Sequence, residues 1–142
     1  MSTETTYAEV AEGVRAAIAA YAQALDDGRT DDLVAAFCPD GVSEIPGTGT
    51  YEGHDALRAA FSSWTPHVPQ RHLVANTVVA EWNDHEATAT SDLVLLVLGD
   101  SGWAIRLVGR YDDVLHHDDG VWRFHHRLTT FVTKQSSQKG TA

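Results

Sequence analysis

Four runs rich in β-branched and aromatic residues follow one another in residues 70–133, QRHLVANTVVAEWNDHEATATSDLVLLVLGDSGWAIRLVGRYDDVLHHDDGVWRFHHRLTTFVT. The runs cover about residues 71–82, 88–98, 103–115 and 121–133. Short turn sequences separate them, at residues 83–84, 99–102 and 118–120. Long β-rich runs divided by tight turns are typical of antiparallel hairpins. The pattern predicts a meander of four long strands.

The residues before this meander have helical periodicity. Apolar side chains recur every three or four residues at Val10, Val14, Ile18, Tyr21 and Leu25, which is one face of a helix. We expect a capping box to begin this helix and a glycine to end it, at Thr6, Glu9 and Gly28.

Two shorter helices and a short strand are predicted between the first helix and the meander. The second helix is expected to be capped by Thr30, to bury Leu33, Val34 and Phe37, and to end at Pro39. A strand over residues 42–45 follows and is ended by Pro46. The third helix is expected to bury four residues, Leu57, Ala60, Phe61 and Trp64.

Helices followed by a run of strands predict an α+β fold in one domain over residues 1–134. Three helices packed into a strongly curved, mostly antiparallel sheet form a cone that encloses an apolar cavity, where small molecules bind. The polar residues 135–142 are expected to be a disordered tail.

Composition excludes several classes of function. Ten Lys and Arg against twenty Asp and Glu give the 142-residue chain a formal net charge of −10, which disfavours binding to nucleic acids and to anionic membranes. A single cysteine, Cys38, excludes an internal disulfide and a cysteine-rich zinc site. Neither a signal peptide nor a membrane-spanning run is visible, so we expect a soluble cytoplasmic protein.

Six short motifs resemble the SnoaL-like branch of the nuclear transport factor 2-like superfamily. They are YAQALD (21–26), FCPDG (37–41), YEG (51–53), QRHLVAN (70–76), GRYDD (109–113) and GVWRFHHR (120–127). Their order extends the resemblance over about residues 10–133. The resemblance implies the same cone-shaped, cystatin-like fold and a homodimer or homotrimer. Because members of this superfamily include isomerases, epoxide hydrolases, cyclases, dehydratases and non-catalytic proteins, the fold does not specify the reaction.

The candidate site is most similar to those of scytalone dehydratase and bile acid dehydratase. In that comparison Asp26 and His72 correspond to a catalytic acid and histidine, and Tyr21 and Arg127 to a tyrosine and an arginine of bile acid dehydratase. Positions 21 and 26 lie about 140° apart around a helix, so they share no face.

The chemistry of these residue types is consistent with elimination of water from a carbonyl compound. Such a reaction needs a base for the C–H, an acid for the leaving hydroxyl and donors for the enolate oxygen. A histidine held by a carboxylate can perform both proton transfers, because its ordinary pKa is about 6.5. We therefore expect His72 to be the acid–base, Asp26 its partner, and Tyr21 or Arg127 the oxyanion donor. No cofactor is required.

Strand alternation places the remaining candidates. His72 alternates with Val74, Asn76, Val78 and Ala80 on a mostly apolar face that is expected to point inward. Arg127 shares a face with Arg123 and His125, opposite Trp122, Phe124 and His126. Residues expected to shape the substrate pocket are Phe37, Trp64, Asn76, Asp92, Tyr111 and His125.

No metal site is predicted, although the chain contains eight histidines. Five of them, His54, His67, His85, His116 and His117, fall at turns or element ends and form no metal motif. The sequence therefore predicts a cofactor-independent lyase or isomerase, either a dehydratase or a polyketide-type cyclase, acting on a hydrophobic carbonyl-bearing molecule. Two alternatives remain open: an epoxide hydrolase or epoxide-opening cyclase, and a non-catalytic small-molecule binding protein or auxiliary subunit.

Overall fold

The computed structural model describes residues 4–134, which form three helices and six strands. The predicted tail, residues 135–142, lies outside the described residues. The helices are α1 (Tyr7–Asp26), α2 (Thr30–Ala35) and α3 (Gly53–Ser63). The strands are β1 (Phe37–Ile45), β2 (Gly49–Glu52), β3 (Gln70–Trp82), β4 (Glu86–Gly99), β5 (Gly102–Asp118) and β6 (Val121–Lys134). No helix of the described part is long and apolar enough to cross a membrane.

The six strands form one sheet in the order β2-β1-β6-β5-β4-β3. Strands β3 to β6 pair antiparallel with their sequence neighbours, which confirms the predicted meander. The sheet is extended on one side by β1, which lies parallel to β6, and by β2, which closes a hairpin with β1. The α+β class and the curved sheet are therefore as predicted.

Helix α1 forms as its sequence predicts. The Thr6 hydroxyl accepts from the Glu9 amide, and the Glu9 carboxylate accepts from the Thr6 amide, so two of the free N-terminal donors are satisfied. Its apolar face is buried in the core, and Gly28 adopts a φ of +69° just beyond the last turn.

The segment after α2 differs from the prediction. Thr30 is the first residue of α2 rather than its cap, and α2 ends at Ala35. Phe37 is the first residue of β1, and Pro39 lies inside that strand. Between Phe37 and Val42 β1 advances five residues while β6 advances two, so the extra residues bulge out and no ladder bond is needed from the proline.

Two further bulges change which residues face inward. Between Ala75 and Val78 β3 advances three residues while β4 advances two, and Asn76 has a φ of +56°. From Val114 to Leu115 β5 advances one residue while β6 moves by two, from His126 to Phe124, so His125 is the extra residue of β6. A one-residue insertion moves every following side chain to the other face.

The core lies between the helices and the concave face of the sheet. Tyr21 is at its centre, in edge-on contact with the rings of Phe37, Phe61, Tyr111 and Phe124. This aromatic cluster fills one part of the cone and forms the floor of a cavity in the rest.

Candidate active site

A mostly apolar cavity of about 270 Å³ opens between the C-terminal end of α1 and the concave face of the sheet. Seven of its lining side chains are apolar: Leu25, Ile45, Trp64, Leu93, Leu95, Leu107 and Phe131. The other six are polar, five with a hydroxyl or amide group and one with an imidazole: Tyr21, Thr48, Gln70, Tyr111, Thr129 and His72. Among the described residues that line the cavity there is no Lys, Arg, Asp or Glu. The cavity is therefore suited to a neutral, apolar ligand with a few polar atoms.

Asp26 and His72 meet at the wall of this cavity. The Nδ1 atom of His72 lies 2.7 Å from Oδ1 of Asp26, and the His72 backbone amide donates to Oδ2 at 2.7 Å. The side chain of His72 is 9% exposed and that of Asp26 is 5% exposed. The backbone contact and the ring contact together fix the imidazole in one orientation.

The first residues of β3 provide the donors that Asp26 needs. Asp26 is the last residue of α1, where a negative charge opposes the helix dipole. Gln70 donates to its Oδ1 at 3.2 Å, in addition to the two contacts from His72. Burial raises the pKa of Asp26, but the hydrogen bonds and charge of His72 outweigh it, so that this pKa is lowered overall. The carboxylate is thus ionised at neutral pH.

The arrangement leaves Nε2 of His72 available to a ligand. A carboxylate accepts but does not donate, so Nδ1 carries the proton in the neutral ring and Nε2 carries the lone pair. Within residues 4–134 Nε2 has no hydrogen-bond partner, and His72 lines the cavity while Asp26 lies behind it. Tyr21 and Asp26 point in directions about 140° apart around α1. This separation is compatible with a shared site, because Asp26 acts through His72 and only Tyr21 must face the cavity.

Tyr21 and Tyr111 contribute the two phenol rings of the cavity wall. They belong to α1 and β5 and pack edge to face, with ring centroids 6.3 Å apart and planes at 82°. Burial raises the pKa of both, and the positive charge of Arg127 acts in the opposite direction. Both phenols are therefore neutral hydrogen-bond donors at physiological pH.

Arg127 is buried behind these two rings and does not line the cavity. Its Nε and Nη2 atoms donate to the two carboxylate oxygens of Asp113 at 2.8 and 3.0 Å, and both side chains are fully buried. The expectation that Arg127 shares a face with Arg123 and His125 is wrong. The bulge at His125 places Arg127 on the same face as Phe124, over whose ring its Cζ atom lies.

Of the residues expected to shape the pocket, the structure places Trp64 and Tyr111 in its wall. Phe37 is buried in the aromatic core and touches Tyr21, one layer away from the cavity.

Asn76 and Asp92 lie on the opposite, outer face of the sheet, so their assignment to the pocket is wrong. Asn76 donates to Asp92 at 2.8 Å, and Arg110 forms two hydrogen bonds to the same carboxylate. The hydrogen bond from Asn76, followed by those from Arg110, lowers the pKa of Asp92. The β3 bulge moves Asn76, Val78 and Ala80 off the His72 face.

His125 is also wrongly assigned to the pocket. It stacks on His116 with centroids 4.1 Å apart and lies 3.8 Å from Asp40, near the β5–β6 turn. Within residues 4–134, no group of three or more His, Cys, Asp or Glu side chains is arranged to hold a metal ion.

Besides several lining residues of the cavity, sequence reasoning missed two polar residues that support the site from behind or beside it, Gln70 and Asp113. Asp113 is two residues after Tyr111 and therefore on the same strand face, which was the available indication that it points inward. Gln70 is likewise two residues before His72 and shares its face.

A family model described as a SnoaL-like domain matches residues 6–128. No curated protein sequence matches the chain. Among solved structures, a variant of Rv3472, a protein of unknown function from Mycobacterium tuberculosis, has a TM-score of 0.81 and 26% identity. That match covers 94% of this chain and 77% of the other.

Two more distant structures share the fold. A proposed scytalone dehydratase from Novosphingobium aromaticivorans has a TM-score of 0.80 at 19% identity, covering 92% of this chain and 89% of that one. A protein of unknown function with a cystatin-like fold from Nostoc punctiforme has a TM-score of 0.78 at 21% identity, covering 91% and 95%. These two likenesses concern the fold alone, and they confirm the predicted architecture.

Proposed function

The chain belongs to the SnoaL-like domain family, and from its site we propose that it is a cofactor-independent dehydratase or cyclase for a hydrophobic carbonyl-bearing small molecule. The observation that carries this proposal is the Asp26–His72 pair, with Nδ1 to Oδ1 at 2.7 Å, at the wall of an apolar cavity. A carboxylate-oriented imidazole with its second nitrogen facing such a cavity is an arrangement suited to acid–base catalysis.

In the proposed reaction His72 is both base and acid. Its Nε2 lone pair removes a proton from the carbon next to the substrate carbonyl, and the electron pair moves onto the carbonyl oxygen. The imidazolium is stabilised by the Asp26 carboxylate, which stays ionised because its pKa is lowered. The enolate then expels the β-hydroxyl group as His72 returns the proton to it, releasing water and a conjugated carbonyl. A cyclase uses the same first step and directs the enolate to an internal electrophile.

Tyr21 and Tyr111 are proposed as donors to the enolate oxygen. Both are neutral phenols in the cavity wall, and a preorganised donor is most effective where charge develops away from water. Arg127, which the resemblance suggested for this role, lies behind the rings, so a direct contact with substrate is not proposed for it.

The cavity lining supports a neutral substrate of small size. Without a Lys or Arg among the described lining residues, a carboxylate or phosphate would lose its hydration with no charged partner. A volume of about 270 Å³ and the rings of Trp64 and Phe131 favour an aromatic or alicyclic skeleton of one or two rings.

The test is a panel of neutral cyclic β-hydroxy ketones, assayed for the ultraviolet absorbance of the conjugated product. We expect turnover by the wild-type protein and a loss of kcat of at least about 100-fold in His72→Gln and Asp26→Asn. His85→Gln serves as the matched control, because His85 is exposed in the β3–β4 turn. Thermal unfolding checks that each variant is folded.

Three results would contradict the proposal. Full activity of either site variant removes the acid–base role. Turnover of epoxides with incorporation of oxygen from labelled water instead identifies an epoxide hydrolase. Saturable binding of the panel without turnover, unchanged by Asp26→Asn, identifies a non-catalytic binding protein.

A further inference from the structure

Next to the cavity the protein contains a buried ion pair that touches neither solvent nor the cavity. Asp113 and Arg127 are directly opposite each other on β5 and β6, and both side chains have no exposed surface. Burial is the largest single influence on the pKa of Arg127 and lowers it, but the charge and hydrogen bonds of Asp113 together with Tyr111 and Tyr21 outweigh burial and raise this pKa overall, so the guanidinium remains charged. The inner face of the sheet therefore contains a permanent positive charge beneath the cavity floor.

Stability alone does not account for this pair. Desolvating two charges costs about as much as their attraction returns, and an apolar pair of the same volume is often as stable. In addition, Nη1 of Arg127 is buried without a hydrogen-bond partner in the described part of the chain. An unpaired buried donor is a further cost to the fold. The position of the cation relative to the cavity is therefore the property that requires an explanation.

Three aromatic rings surround the guanidinium. Its Cζ atom lies 3.4 Å from the centroid of Tyr111, 4.2 Å from that of Phe124 and 4.4 Å from that of Tyr21. The two tyrosine rings also form cavity wall, whereas Phe124 belongs to the core. The two tyrosine rings therefore lie between the Arg127 guanidinium and a ligand in the cavity, and the guanidinium is positioned over the faces of both rings.

We propose that the Asp113–Arg127 pair is a polarising device that makes the hydroxyls of Tyr21 and Tyr111 stronger hydrogen-bond donors toward an oxyanion in the cavity. This inference rests on the proposed function for its purpose, and it deepens the account of the same site. Asp113 is a positioning residue: its two-point contact holds the guanidinium against the rings.

The physical basis is the interaction of a fixed cation with a ring that becomes more negative as its hydroxyl donates. A guanidinium at 3–5 Å stabilises the partly ionised phenol more than the neutral one, and the dry interior weakens the screening. Although burial raises the pKa of Tyr21, the Arg127 charge is the largest influence that lowers it and exceeds the opposing effect of Asp113. Partial rather than full ionisation is what an oxyanion donor requires.

The experiment measures the acidity of one phenol at a time and needs no substrate. Tyr21 or Tyr111 is replaced by 3,5-difluorotyrosine, whose ionisation is followed by ultraviolet absorbance and fluorine NMR. Each probe is titrated in the wild-type background and in the neutral pair Asp113→Asn/Arg127→Gln. The same probe at Tyr7, an exposed position remote from Arg127, is the matched control.

We expect the acid dissociation constant at positions 21 and 111 to fall at least about tenfold in the neutral pair, with no change at position 7. Arg127→Lys, which keeps the charge, should retain most of the acidity. Unchanged constants at 21 and 111 overturn the proposal. If the neutral pair does not fold, the apolar double variant Asp113→Leu/Arg127→Met replaces it. If neither double variant folds, the role of the ion pair is structural, and this result also overturns the proposal.

The titration is independent of turnover. A change in phenol acidity in a protein without dehydratase activity would refute the proposed reaction and leave the polarising pair standing. Dehydratase activity with unchanged phenol acidity would support the proposed reaction and refute the polarising role of the ion pair.

Discussion

The carboxylate of Asp26 occupies the C-terminal end of α1, where its charge is stable only because β3 supplies donors. Its folded-state pKa is lowered, so the carboxylate stabilises the protein at pH values above its unfolded pKa of about 4. That contribution is lost as the pH falls through the lowered, folded-state pKa. The same contacts that orient His72 therefore also make the fold sensitive to acid.

We predict that Asp26→Asn is less stable than the wild type by about 1.5–3 kcal/mol at neutral pH, the range for hydrogen bonds to a charged group. The difference should shrink as the pH falls below about 4, because the Asp26 carboxyl of the unfolded chain then takes up a proton while that of the folded chain is still ionised, and it should keep shrinking until the pH passes the lowered, folded-state pKa. Urea unfolding from pH 7 to pH 3 measures it. Asp27→Asn, at an exposed neighbouring residue, is the control and should show little difference. A difference that stays constant with pH would contradict this assignment.

The candidate residues were predicted from the sequence with uneven success, for a physical reason. Asp26 and His72 were found because a histidine and a carboxylate with this chemistry match the family's motifs. The position of Asp92 just before a long apolar run predicts that it lies in the pocket, but the outer face of β4 is itself apolar. Asp113 was overlooked because a buried acid is recognisable only when its cationic partner on another strand is known.

At the scale of elements, strand alternation predicts inward and outward faces only up to the next bulge. The extra residue in β3 near Asn76 and the extra residue His125 in β6 each reversed the faces that alternation assigned. The parallel pairing of β1 with β6 was likewise invisible, because it joins segments about 85 residues apart with no local pattern. The meander was predicted well because its pairing is local.

The β3 bulge depends on a backbone conformation that asparagine tolerates. With a φ of +56°, Asn76 lies in the left-handed region, where a β-branched side chain is disfavoured by about 1–2 kcal/mol. We predict that Asn76→Val destabilises the protein by at least this amount, partly through loss of the hydrogen bond to Asp92. Asn76→Gly separates the two effects, since it loses the hydrogen bond and keeps the conformation. Chemical denaturation that ranks valine at or above glycine would exclude this account of the bulge.

Helix α1 approaches β6 closely enough to require a glycine. A Cβ atom on Gly13 would lie 2.5 Å from Cδ1 and 2.8 Å from Nε1 of Trp122. The indole cannot move away freely, because it is nearly buried and stacks on His117 with centroids 4.8 Å apart.

We therefore predict that Gly13→Ala destabilises by about 1–3 kcal/mol through overpacking, although alanine is normally the better helix residue by about 1 kcal/mol. In the Trp122→Leu background the clash is absent and the same substitution should stabilise. The exposed position Ala16 reports helix propensity alone, through Ala16→Gly. Denaturant unfolding of the double-mutant cycle gives the coupling, and a stabilising Gly13→Ala in the wild-type background would disprove the clash.

At the scale of the whole molecule, the two faces of the sheet differ in how they are covered. The helices cover the concave face, while apolar side chains on the outer face of β3, β4 and β5 are left partly or fully exposed. This outer patch consists of Leu73, Val94, Leu96, Ile105 and Val108, of which Leu73 and Ile105 are 53% and 54% exposed. Contiguous exposed apolar residues of this kind mark interaction surfaces.

We propose that a second copy of the chain covers the outer patch, in line with the homodimer that the family resemblance implies. A stable pair buries about 1,200–2,000 Å² in total, which a patch spanning three strands can supply together with its surroundings. Because a twofold interface brings the same residues of both copies together, one charge introduced into the patch is placed twice in the interface.

Light scattering after size exclusion should give twice the chain mass for the wild type and the chain mass for Ile105→Glu. Val121→Glu, at another exposed apolar residue by the β5–β6 turn, is the matched control and should stay dimeric. A monomeric wild type, or a dimer that survives Ile105→Glu, would show that the patch is not the interface, and three times the chain mass would identify the trimer instead.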